Sequence, residues 1–132
     1  MRIEEIVEKI KVLAAQHHAI EENDLDEIKE AEFLEVEAED LITAYCVNQN
    51  YLINGFPTEK KAIEGELDDD YFCRERYQLY LDHLTLQKED VAELMWCYTS
   101  NFWPDYFESK EEYIKTIEHQ IKSGVFYDLD LE

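Results

Sequence analysis

EAEFLEVEAEDLITAYCVNQNYLI, residues 30–53, decides how this chain folds. From Glu30 to Glu39 its acids alternate nearly every second residue, which taken alone fits a strand. Glu, Ala and Leu favour helix, however, and the apolar positions run on at helical spacing. Leu34, Ala38, Leu41, Ile42, Tyr45, Gln49 and Leu52 share one face, while Phe33, Val36, Ala44, Val47 and Tyr51 form a second stripe. A helix that is apolar on two sides is sandwiched between neighbours. The pattern predicts a central helix over 30–53, ended by Asn54-Gly55 because glycine accepts a positive φ.

The segments on either side are helical too. Ile3, Ile6, Val7, Ile10, Leu13, Ala14, His17 and Ile20 fall on one helical face, and Asn23-Asp24 marks a break or a new N-cap. After Phe56-Pro57, Thr58 caps a short helix to Glu64, which Gly65 closes. Asp68, Asp69 and Asp70 begin a fourth helix, where carboxylates suit the N-terminus. It runs to about Leu84 and carries Phe72, Cys73, Tyr77, Leu79, Tyr80, Leu81 and Leu84, an apolar surface wide enough to leave a homodimer open. Thr85 begins the next segment, whose stripe is Val91, Leu94, Met95, Tyr98 and Phe102. Trp103-Pro104 stops it, since the residue before proline avoids the α region. Ser109-x-x-Glu112 is a capping box for a last helix that buries Tyr113, Ile114, Ile117 and Ile121, with Gly124 as its C-cap. The tail VFYDLDLE alternates and reads as a short strand or an extended segment. The expectation is one all-α domain over 1–132, a bundle of five or six helices.

Charge is the second theme. Thirty-three acids face twelve bases, for a net charge of −21. Residues 21–40 hold eleven acids and one base, Lys29, so nearly half the imbalance lies in twenty residues. Seventeen aromatics argue against a disordered acidic tail. Such a surface repels phosphate backbones and anionic lipid, so neither nucleic acid nor membrane is the expected partner. Basic proteins are attracted. Acids one helical turn apart, as in Asp26-Glu30, Glu32-Glu35 and Glu35-Glu39, repel by about 0.2–0.5 kcal/mol per pair. Their persistence without interleaved lysines fits a functional use. Such carboxylates lie about 5–6 Å apart, close to the spacing of phosphates along a strand.

Catalysis and cofactors find little support. The chain has no G-x-S-x-G, no glycine-rich phosphate loop, no H-E-x-x-H and no E-x-x-H. Asp68-Asp69-Asp70 and Asp128-x-Asp130-x-Glu132 lack the EF-hand's loop glycine and length. His17 with Glu21 one turn on reads as a core or cap residue rather than a ligand. No enzyme activity, metal or cofactor is expected. Cys46, Cys73 and Cys97 have no C-x-x-C spacing and read as reduced thiols, which places the protein in the cytoplasm. No signal-peptide core or membrane span is read.

In overall character the chain resembles the acidic phage- and plasmid-encoded inhibitors that imitate DNA, the anti-restriction and anti-CRISPR proteins. Asn101–Ile114, NFWPDYFESKEEYI, is similar to the acidic C-terminal part of a small anti-CRISPR protein that blocks Cas9. That likeness covers about a tenth of the chain, and no functional residue is carried over from it. It implies an inhibitor that occludes the basic groove of a nucleic-acid-handling effector. The candidate contact residues, taken from charge and spacing, are Glu30, Glu32, Glu35, Glu37, Glu39 and Asp40, with Asp68, Asp69 and Asp70 as a second cluster. Trp96 and Trp103, off the helix stripes, are the candidate anchors. The alternatives are an immunity protein that neutralises a basic toxin such as a nuclease, and a small metal-binding or enzymatic helical bundle.

Overall fold

The computed structural model describes residues 2–21, 23–51 and 81–123. The expected helix at 58–64, the Asp68–Asp70 cluster, Cys73, most of the fourth helix, Gly124 and the alternating tail lie outside the described residues. The chain is all-α: α1 (Ile3–His18), α2 (Leu25–Asn48), α3 (81–87), α4 (Glu89–Phe102) and α5 (Lys110–Lys122), with no strand among the described residues. No described helix is long and apolar enough to cross a membrane.

α2 starts earlier and stops earlier than its stripes suggest. Asp24 is its N-cap and accepts a 2.9 Å hydrogen bond from the Glu27 backbone N–H, so the helix takes in Leu25 to Lys29 as well. Asp26 and Glu27 then sit in the first turn, where the helix dipole favours them. The C-terminus falls at Asn48, not at Asn54-Gly55. Asn50 takes the left-handed conformation, with φ 59°, that glycine was expected to supply. The Tyr51 N–H then bonds the Cys46 carbonyl at 2.9 Å, and the Asn50 N–H bonds that of Val47 at 3.0 Å. This is the paired closure of a Schellman motif.

The core lies between α1, α2 and α4. Ile6, Ile10 and Ala14 of α1 meet Ala38, Ile42 and Cys46 of α2, and Val91, Leu94, Met95 and Phe102 of α4. α1 and α2 run antiparallel, since His17 approaches Glu35 while Glu8 and Leu13 lie beside Glu37. α2 and α4 are antiparallel as well, with Glu39 bonded to Tyr98 and Tyr45 to Asp90. Leu81 and Leu84 of α3 are buried in the same core, and so are Tyr113 and Ile117 of α5.

The sandwich expected around α2 is incomplete. Of its first stripe, Ala38, Ile42 and Tyr45 are buried and Leu34 and Leu41 half-buried, while Gln49 is exposed and Leu52 lies outside the described residues. On the second, Val36, Ala44 and Val47 are half-buried, and Phe33 is 74% exposed. Thr85 does not begin a segment: it lies inside α3 and donates to the Leu81 carbonyl at 2.9 Å, satisfying its buried hydroxyl within the helix. The break comes at Lys88, and Glu89 and Asp90 open α4.

α4 ends at Phe102, as Trp103-Pro104 requires. The capping box before α5 is half formed. Ser109 Oγ accepts from the Glu112 N–H at 3.2 Å, while the Glu112 carboxylate reaches past Ser109 to the Glu108 N–H.

Candidate functional site

Helical geometry divides the acids of α2 into two sets. Glu30, Glu32 and Glu37 are exposed, and among the described residues none of them forms an ion pair. Glu30 and Glu37 are two turns apart and share a solvent-facing strip with Asp26 and Phe33. Glu35, Glu39 and Asp40 are half-buried. Glu35 lies 3.8 Å from His17 Nε2 of α1, and Glu39 accepts a 2.8 Å hydrogen bond from the Tyr98 hydroxyl of α4. The outward strip and the inward pair therefore do different things. The first presents unneutralised charge, and the second carries charge into the helix interfaces.

Glu39 belongs to a cleft. With Asp82 of α3, Tyr98 of α4, Trp103 and Phe107 of the following turn, and Tyr113 of α5, it lines an open hollow of about 330 Å³. Buried Met95, Thr99 and Ile117 and exposed Gln120 complete the lining. The aromatic wall is continuous. Tyr98 and Trp103 meet edge-on at 5.3 Å, Trp103 and Tyr106 stack at 6.5 Å, and Phe107 and Tyr113 meet edge-on at 5.4 Å. The helix stop at Trp103-Pro104 folds the chain back and makes this wall. The whole turn lies within Asn101–Ile114.

Two of the residues singled out by charge and spacing, Glu39 and Trp103, thus meet in one place. Trp96 is half-buried and packs 5.8 Å from Tyr113, outside the cleft lining. Glu30, Glu32 and Glu37 do not reach the cleft. Glu37 instead edges a shallow groove of about 360 Å³ between α1 and α2, with Glu8, Lys9, Val12 and Leu13. Asp82 does not stand out in the sequence, Phe107 stands only among the aromatics off the helix stripes, and Tyr113 reads as a core position. They sit on separate elements, and no spacing along the chain relates them.

The two phenols of the cleft respond to burial and to its acids. Burial pushes the Tyr98 hydroxyl well above its ordinary range, and the charge and hydrogen bond of Glu39 push it further. Burial does the same to Tyr113, reinforced by the charge of Asp82. Both phenols stay protonated, and Tyr98 is a neutral donor to Glu39.

A second carboxylate cluster lies at the far end of α4. Asp90 accepts hydrogen bonds from Tyr45 at 2.6 Å and Tyr51 at 2.9 Å. Burial alone would raise the Asp90 carboxyl, but those bonds and the Val91 N–H outweigh it and hold it below the usual range. Nearby Cys46 is fully buried, and burial and the Asp90 charge push its thiol up to about 12. That thiol is a poor nucleophile. Among the described residues no three His, Cys, Asp or Glu side chains gather as a metal ion would need.

Comparison with known proteins adds no relative: no family model, no curated protein and no solved structure matches the chain.

Proposed function

We infer that this protein works by binding, as an inhibitor that occupies the basic DNA- or RNA-binding groove of a nucleic-acid-handling protein. The observation that carries the reading is the outward strip of α2. There Glu30 and Glu37 stand exposed beside Asp26 on one 24-residue helix, and among the described residues neither forms an ion pair, in a chain of net charge −21. A helix rises about 1.5 Å per residue, so Asp26, Glu30 and Glu37 spread negative charge over roughly 16 Å. Packing against α1 and α4 holds that spacing rigid, which lowers the entropy lost on docking. The charge also speeds encounter with a basic groove.

The test is competition. A candidate effector loaded with fluorescent DNA or guide RNA is titrated with the protein at several salt concentrations. Release of the nucleic acid, with affinity falling steeply as salt rises, supports the reading. An inhibited complex that still holds its nucleic acid removes it.

A second reading, neutralisation of a basic toxin away from its nucleic-acid groove, is favoured by the exposure of Phe33 and Tyr106. Large aromatics in water beside acids suit a tight cognate interface. A toxin complex that resists salt but is lost on Phe33→Ala would select it.

A further inference from the structure

We propose that the face shared by α1 and α2 around Val12, Phe33 and Glu37 docks a basic amphipathic helix of the partner protein. The proposal rests on the binding function above and names the element of the partner that meets the strip of α2.

Phe33 is 74% exposed and Val12 is 56% exposed. They come from different helices and belong to one surface. Glu37 lines the α1–α2 groove together with Val12 and half-buried Leu13, and Phe33 stands one turn before Glu37 on α2. A single apolar side chain in water means little, but two beside one groove of about 360 Å³ give a ligand apolar surface to cover. The surround is acidic. Asp26, Glu30 and Glu37 share the strip with Phe33, and among the described residues none of these three acids forms an ion pair. Against them stands Lys9 in the groove lining, while Glu8 beside it already pairs with Lys11 at 3.7 Å.

Charge complementarity and the apolar pair together select the occupant. Nucleic acid, an anionic membrane and a second copy of this chain all bring negative charge to a face that is already negative. A basic tail without apolar residues would neutralise the acids and leave Phe33 and Val12 in water. A basic helix with one apolar stripe meets both needs. Its apolar side chains, three or four residues apart, cover Phe33 and Val12, and Lys or Arg beside the stripe reach Glu30 and Glu37. The seat itself suits a helix, because α1 and α2 lie antiparallel and the ridges of a third helix fit the groove between them.

The proposal is tested on the full chain by calorimetric titration with a stapled helical peptide of about 15 residues, carrying a leucine stripe flanked by lysines. One control peptide has serine for every leucine, and the other has glutamine for every lysine. In about 0.3 M NaCl, where charge alone is screened, the basic amphipathic peptide should saturate at one per chain. Each control should bind about tenfold more weakly or not at all. Phe33→Ala with Val12→Ser should weaken binding about tenfold, and so should Glu30→Gln with Glu37→Gln. All four side chains are exposed, so both variants should keep the helical circular dichroism signal. If the apolar double variant loses helix, the carboxamide variant and the two control peptides decide the question. Tyr106→Ala removes an exposed ring from the turn after α4 and should leave binding unchanged. A serine peptide that binds as tightly as the leucine peptide would overturn the proposal, as would undiminished binding by either double variant. So would loss of binding on Tyr106→Ala, or a dimer of the free chain that Phe33→Ala dissociates, which would give the face to a second copy. The two levels separate cleanly. Peptide docking by a protein that releases no nucleic acid from any effector leaves the face and removes the groove reading. Release of nucleic acid undiminished by Phe33→Ala with Val12→Ser does the reverse.

Discussion

The Tyr98 hydroxyl donates a 2.8 Å hydrogen bond to Glu39 across the α2–α4 interface, and both residues line the aromatic cleft. A neutral phenol is thus paired with a carboxylate at the edge of the core. Tyr98→Phe removes the donor while keeping the ring. We expect a loss of about 1–2 kcal/mol in urea unfolding, with little change in the helical circular dichroism signal. No loss of stability would show that the bond is dispensable and that the ring alone holds the cleft.

Three buried phenols make the fold sensitive to alkali. Burial comes first in each case, reinforced by Asp90 at Tyr45, by Glu39 at Tyr98 and by Asp82 at Tyr113. Each is raised above the ordinary 10.0, so the stability it contributes is complete below that value. As pH rises past 10 the unfolded chain ionises and the folded one does not, and stability falls. Absorbance titration should show these tyrosines ionising together with loss of helix. Ionisation of all nine tyrosines in a chain that remains helical would contradict their burial.

Acid acts at the other end of α4. Asp90 is held below the usual carboxylate range in the folded state, so its contribution is present above the unfolded value and fades as pH falls through the folded one. Tyr45→Phe should cost about 1 kcal/mol at neutral pH, Tyr51→Phe less, and both should flatten the acid limb of the stability profile. Urea midpoints measured between neutral pH and pH 3 check this. A limb as steep in the double Phe variant as in the parent would show that other carboxylates govern it.

Opposite faces of α2 should answer mutation differently. Ile42 is fully buried, and Ile42→Ala should cost about 2–5 kcal/mol through lost burial and the cavity left behind. Phe33 is 74% exposed, and Phe33→Ala should change stability by no more than about 0.5 kcal/mol. If Phe33→Ala proves as costly as Ile42→Ala, the second stripe of α2 is covered after all.

Salt should have two effects of opposite sign. With a net charge of −21 the folded chain repels itself, so raising NaCl from about 0.05 to 0.5 M should increase the melting temperature. The same change should weaken association with a basic partner. Calorimetry measures the first and titration the second. A melting temperature that falls with salt would mean that ion pairs such as Lys110–Glu93 outweigh the repulsion.

The sequence makes the helices plain wherever a local rule acts alone. Asp24 caps α2, Trp103-Pro104 ends α4, and the Ile3–His17 face of α1 packs as its spacing demands. It misleads where two residue types can do the same job. Asn50 takes the conformation assigned to Gly55, because asparagine also tolerates positive φ, and α2 ends at Asn48. Thr85 looks like the start of a segment because its hydroxyl suits a cap, yet it bonds back inside α3. The cleft is harder still. Glu39 and Trp103 stand out by charge and by position off the stripes, but Asp82, Phe107 and Tyr113 join them only through tertiary packing. Nor does charge along the chain show that Glu35 and Glu39 turn inward while Glu30 and Glu37 face water. That follows from where α1 and α4 lie around α2.

The two tyrosines on Asp90 tie the end of α2 to the start of α4, and Leu81 is sunk in the same core. Tyr51 and Leu81, on either side of 52–80, are therefore both joined to the same frame. A frame closed in this way should tolerate a severed backbone. Fragments ending after Tyr51 and beginning before Leu81 should associate and refold as a noncovalent pair. Refolding of that pair would show that the contacts of Tyr45 and Tyr51 with Asp90 close the frame without a continuous backbone.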